Sequence, residues 1–262
     1  MLKIGWILIT ILNAIVFNLL IINYKISKIP SYLYGFLFVL VSILFIETIN
    51  IWPLLISTFC IILAYGEIIT LNKLDNPKGK ILKSGFFIGI TGLIDYNLYI
   101  FSLMNLIGLT YGKQLTWRNT VILIVGLLWP LVLIFTINHL YPVLFIESPP
   151  YKLLNTTKIN LAQHYISICI ICLILILSIH ELYKNMYKKT EISKKAFIIL
   201  ILMSIIIIFT AIITKSLAII YFLSIPLSLI ITNYLLYTKH RYFRTFLLGL
   251  LLVSILFEFF YL

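Results

Sequence analysis

Charge is what this chain lacks. Only 11% of its 262 residues are Asp, Glu, Lys or Arg, and just eight of these are acidic. A soluble domain carries roughly a quarter charged residues and less than half apolar ones; here 62% are apolar and the mean hydropathy is +1.13. Soluble globular, disordered and disulfide-scaffold classes are thereby excluded. The three cysteines, Cys60, Cys169 and Cys172, lie inside apolar stretches and behave as small hydrophobes. Cys169 and Cys172 have redox-pair spacing, but with no second such pair they read as packing. No glycine-rich phosphate loop, nucleophile elbow or His-Glu-x-x-His occurs, so ATPase, hydrolase and zinc-protease readings have no support and neither cofactor nor metal is expected.

Long polar stretches are missing as well. The longest, 72–84, 141–160 and 183–195, do not exceed 20 residues, so 1–262 reads as a single polytopic membrane domain with no soluble domain. Crossing a hydrocarbon core of ~30 Å takes about 20 helical residues, and eight apolar runs meet that need: 4–22, 31–49, 53–71, 119–140, 161–182, 196–214, 216–237 and 245–262. Asn23-Tyr24-Lys25 supplies no signal-peptidase site, so the first run is expected to be retained. Only helices or closed barrels satisfy backbone groups in lipid, which makes the chain an all-α integral membrane protein of about eight transmembrane helices.

The stretch 85–111 is different, because Asp95-Tyr96-Asn97 interrupts it halfway. It is one long helix or a hairpin of two short ones, and charge decides. If the stretch returns to the side it left, sixteen of the twenty basic residues gather on one face, leaving Lys3, Lys152, Lys158 and Lys215 opposite; if it crosses, the split is nine against eleven. The positive-inside rule therefore predicts a short hairpin over 85–111, its halves 12 to 14 residues long and Asp95 near mid-depth. The basic loops are then cytoplasmic and both termini outside, and the net charge of +12 is a topology signal, not a nucleic-acid surface. Gly85, Gly89 and Gly92, spaced by four and three, form a smooth helix-packing strip.

Ionisable groups inside a membrane are functional candidates by default. With this topology Glu47, His139, His164 and Glu258 fall near the outer helix ends, joined by Lys215 and Glu147, with Asp95 at the hairpin tip. Together they are a possible intramembrane polar site that could relay protons, hold a divalent metal, or grip a phosphate-bearing lipid through such a metal; no pair has metal-site spacing, and interfacial snorkelling or simple pairs such as Glu with Lys215 are the competing reading. Glu67, His180 and Glu181 read as surface ion pairs beside the basic loops, and Trp6, Trp52, Trp117 and Tyr141 as interfacial anchors.

The segment Gly85-Phe86-Phe87-Ile88-Gly89-Ile90-Thr91-Gly92-Leu93, with Trp117-Arg118-Asn119, Gly126-Leu127-Leu128-Trp129-Pro130 and Ser224-Ile225-Pro226-Leu227-Ser228, resembles the uncharacterised bacterial family known as domain of unknown function 6427. Asp95 stands where an aromatic or apolar residue is expected. The resemblance implies a Gram-negative inner (cytoplasmic) membrane and carries over no catalytic residue. The glycine stretch, Trp-Arg pair and Gly/Pro helix are also similar to multi-pass glycosyltransferases that use polyprenyl-phosphate sugars, whose acidic outer loop is here reduced to Asn50-Ile51-Trp52. The leading expectation is a non-catalytic accessory or scaffold subunit of a cell-envelope complex, in the lipid bilayer beside membrane-protein partners. The alternatives are a reduced enzyme or carrier for a lipid-linked substrate, and a small-solute transporter.

Overall fold

The computed structural model describes residues 2–44, 51–71, 77–140, 165–214, 217–238 and 241–261. These are helical throughout: α1 (Leu2–Asn23), α2 (Leu33–Leu44), α3 (Ile51–Ile69), α4 (Lys78–Ile94), α5 (Ser102–Tyr111), α6 (Trp117–Leu140), α7 (Tyr165–Asn185), α8 (Glu191–Thr214), α9 (Ser224–Tyr237) and α10 (Arg241–Tyr261). Tight 3-10 turns precede α5 (Tyr96–Phe101) and α9 (Leu217–Leu223). Among the described residues six helical stretches are long and apolar enough to cross a membrane. The other two expected runs fall on the shorter apolar helices Leu33–Ile43 and Arg244–Ser254.

The apolar residues sort by burial. The stretch Ile219–Tyr237 is 83% buried and forms the axis of the bundle, with α2, α7 and α8 around it; Trp117–Ile137 is 17% buried and lies at the edge. The axial position follows from the sequence of α9, apolar all round with small Ser224, Ser228 and Thr232 letting neighbours approach. The three hydroxyls lie in the interior, and Ser228 and Thr232 donate back to Ile225 O and Ser228 O.

The chain reverses at Asp95. At the start of α4, Lys80 donates to Thr70 O (3.3 Å); just past α5, Gly112 sits against Leu71 and the Lys195 ammonium. The two ends of the interrupted stretch thus lie against adjacent residues, Thr70 and Leu71, after α3. The expected arm lengths need correcting, however. Helix α4 begins at Lys78, inside the segment that reads as polar, because Pro77 suits a helix start and the Lys78, Lys80 and Lys83 stems tolerate an exposed face. It is 17 residues long, and the returning arm has 16, so each spans about 26 Å at helical rise. Asp95 therefore stands about 26 Å along helix α4 from Lys78.

Reversal makes α4 and α6 parallel neighbours, and glycine sets their separation. Gly85 faces Leu123 O and Gly126, while Gly89 faces Leu127 O and Pro130. Gly92 belongs to a different contact: the Tyr99 ring folds back onto it from the other arm of the hairpin. The Tyr96–Phe101 turn meets the one before α9 through an edge-on contact of Phe101 and Phe222, centroids 5.5 Å apart.

Two helices end on lysines in the left-handed region, Lys25 (φ 50°) after α1 and Lys113 (φ 54°) after α5. Each closes a Schellman motif, with Ile26 N–H on Ile21 O and Lys25 N–H on Ile22 O, and Gln114 N–H on Leu109 O and Lys113 N–H on Thr110 O. A non-glycine residue there costs about 1 kcal/mol, and both lysines are exposed at the end of the bundle where Ile26 meets Ser193 and Gly112 meets Lys195.

Candidate functional site

The basic segments converge at that end. Lys28 N–H donates to the Tyr237 hydroxyl (3.1 Å), Ser193 Oγ donates to Ile26 O, Lys195 donates to Leu71 O (3.0 Å) and Arg244 to Leu235 O (3.4 Å). Among them opens a cavity of about 260 Å³, lined by Ile26 and Lys28 after α1, Glu181, Asn185, Lys188 and Lys189 at the end of α7, Ser193 on α8, and Asn233 and Tyr237 on α9. Its floor is polar and buried, with Ser193 and Asn233 both under 5% exposed; its rim carries the exposed Lys28 and Lys188.

Lys189 is the fixed point of this cavity. Its ammonium donates to Asn233 Oδ1 (2.7 Å) and lies over the rings of Phe197 (4.3 Å) and Tyr237 (5.2 Å). Partial burial and the nearby Lys28 charge pull it down to about 8 from the ordinary lysine value, because both disfavour the charged form. Holding Lys189 charged at neutral pH thus costs free energy that the aromatic faces and the Asn233 carbonyl partly offset. None of Lys28, Lys188 and Lys189 makes an ion pair among the described residues, where Lys194 and Glu191 pair at 3.0 Å. A second cavity of about 470 Å³ lies between α5 and the start of α8, edged by Tyr111, Lys113, Lys194 and Lys195.

The residues expected to form an outer polar site have different fates. Glu47 and His164 lie outside the described residues, as do Lys215, Glu147 and the side chain of Glu258. Asp95 is 2% exposed, and its Oδ1 accepts from the backbone N–H (2.9 Å) and the side-chain amide (2.8 Å) of Asn97, capping the turn into the returning arm. His139 is exposed near the end of α6. Among the described residues no group of three His, Cys, Asp or Glu side chains is placed to hold a metal ion. Glu67 is half-buried on α3, Glu181 lines the lysine cavity, and Cys169 and Cys172 are exposed on α7.

Sequence reasoning gave the interior amides no role, although Asn13 and Asn18 stand out as the interruptions of the first apolar run. Asn13, Asn18 and Asn105 are buried; Asn13 donates to Leu55 O (3.0 Å), whereas neither amide atom of Asn105 has a partner. An uncharged amide inside an apolar run leaves the span intact, and its partners are set by tertiary packing, which residue order does not show. The lysine cavity was equally invisible, because its lining comes from four segments, of which Lys28 and Tyr237 are 209 residues apart in sequence.

The model of a family of unknown function, DUF6427, matches residues 2–262, and the chain belongs to that family. No curated protein and no solved structure matches it.

Proposed function

We propose that this DUF6427 member is a non-catalytic accessory or scaffold subunit of the bacterial inner membrane, with eight spans plus the hairpin, basic end cytoplasmic and termini periplasmic, packed against another membrane protein of the cell envelope. Supporting the orientation is the convergence of basic segments at one end, which the positive-inside rule assigns to the cytoplasm. Supporting the partner is one observation on α6. Trp129 lies twelve residues, about 18 Å, in from Trp117, 53% exposed on the outer side of an edge helix, with no acceptor for its indole N–H among the described residues. Tryptophan prefers the interface, where its N–H finds water or a headgroup, and Trp117, 81% exposed at the start of the helix, fits that preference. An indole exposed mid-span asks for an acceptor from a neighbouring helix. Copurification in mild detergent should recover a stoichiometric membrane-protein partner, lost with Trp129→Phe and kept with Trp117→Phe. Recovery of the protein alone, or equal loss with both variants, contradicts the reading.

The lysine cavity gives specific support to a second reading, a carrier or binder of a lipid-linked phosphate. It moves the point of contact from the outer side expected from sequence to the basic end.

A further inference from the structure

We propose that the cavity between the ends of α7 and α9 and the start of α8 is a binding site for a phosphate-bearing anion, with Lys28, Lys188 and Lys189 and the Asn233 amide as its donors. This deepens the second reading above and does not rest on a protein partner.

Charge points to an anion. Three lysines and one carboxylate, Glu181, line the space, and none of the three ammonium groups makes an ion pair among the described residues. An anion seated among them removes the mutual repulsion of Lys28 and Lys189. Preorganisation points to a site. Asn233 Oδ1, Phe197 and Tyr237 hold the Lys189 ammonium, so its remaining N–H donors keep one direction. The Asn233 carbonyl is committed to Lys189, leaving its amide N–H groups as donors on the buried floor. Ser193 fixes the wall by donating to Ile26 O and by accepting from the Thr190 hydroxyl (3.0 Å).

Size admits the ligand. A cavity of about 260 Å³ accommodates a phosphate with a short polar substituent. Location suggests the source, since basic pockets between membrane helices at the cytoplasmic surface are where anionic headgroups dock. The headgroup of phosphatidylglycerol and free inorganic phosphate share the required chemistry.

The full-length protein in a neutral maltoside detergent is titrated with phosphatidylglycerol, with phosphatidylcholine and with inorganic phosphate, and bound lipid is counted by native mass spectrometry beside the thermal midpoint. One saturable phosphatidylglycerol is expected, preferred at least tenfold over phosphatidylcholine. Each lysine near an anionic surface contributes about fivefold to affinity, so Lys28→Gln with Lys188→Gln should weaken binding by tenfold to thirtyfold. Both side chains are exposed rim groups, and this pair leaves the fold intact. Raising the pH from 7 to 9.5 carries Lys189 through its depressed value near 8 towards neutrality and weakens binding further. The groups facing Lys189 are Lys28 after α1, Glu181 and Lys188 from α7, Ser193 and Phe197 from α8, and Asn233 and Tyr237 from α9. A stabilising response to inorganic phosphate without lipid preference, lost in the same pair, supports the site with a soluble ligand. No saturable response to either, or an equal loss in Lys78→Gln with Lys83→Gln, whose side chains do not line the cavity, overturns the proposal.

Discussion

Valine at Gly126 is expected to force α6 away from α4 and to cost about 3 kcal/mol or more, at the upper end of what overpacking a close-packed contact does. A Cβ there would stand 2.6 Å from Leu82 O and 3.2 Å from the Gly85 Cα. From the other side, a Cβ at Gly85 would meet Leu123 O at 2.8 Å, and one at Gly89 would meet Leu127 O at 2.5 Å. These obstacles are backbone atoms, which cannot rotate aside. In lipid no hydrophobic gain drives helix against helix, so close backbone approach is most of what holds α6 to the bundle. Gly79 and Gly249 provide the control, since nothing lies within 4 Å of a Cβ at either. Alanine there should stabilise by up to about 1 kcal/mol through helix propensity. Thermal unfolding in detergent separates the cases: Gly126→Val should melt well below the parent chain while Gly79→Ala melts at or above it. Equal midpoints would remove the seam as the basis of the α4 and α6 contact.

The second large effect belongs to Asp95. Its Oδ1 accepts two hydrogen bonds from Asn97 at the point where the chain turns back. Asp95→Leu removes a cap, worth about 1 kcal/mol, and strips the Asn97 side-chain amide of its acceptor at about 1–3 kcal/mol more, for a total of roughly 2–4 kcal/mol. Asp95→Asn keeps an acceptor oxygen and should leave expression and fold intact. Measured by unfolding in detergent, a leucine variant as stable as the asparagine variant would mean that the carboxylate does not hold the turn. A folded asparagine variant lacking a biological activity that the parent shows would give Asp95 a chemical role beyond capping.

Much of this architecture could be read from residue order. Six of the eight apolar runs coincide with described helices long and apolar enough to cross a membrane, because each carries its signal in its own composition. The turn at Asp95-Tyr96-Asn97 was also legible, since an acidic residue between two apolar segments and the distribution of lysines both ask the chain to come back. Where the arms begin was not: Lys78–Ser84 looks polar locally, yet α4 extends through it with Lys78, Lys80 and Lys83 on partly or fully exposed positions. The two glycine contacts were half legible. Spacing puts Gly85, Gly89 and Gly92 on one strip, but only the fold shows Tyr99 covering the third and Gly126 completing the seam from α6. The lysine cavity is a tertiary object, in which Lys28 and Tyr237 become neighbours because α1 and α9 end at the same level.

The return of the hairpin carries the topology and the one-sided basic surface, and thiol labelling addresses it most directly. With Cys60, Cys169 and Cys172 replaced by alanine, single cysteines at Lys78, Lys113, Lys189 and Lys152 are exposed to an impermeant thiol reagent in cells whose outer membrane has been opened, before and after the inner membrane is permeabilised. Positions 78, 113 and 189 should react only after permeabilisation, while 152 reacts at once. Labelling of 78 and 113 from opposite sides would mean that the stretch between them crosses the membrane, and would contradict the account.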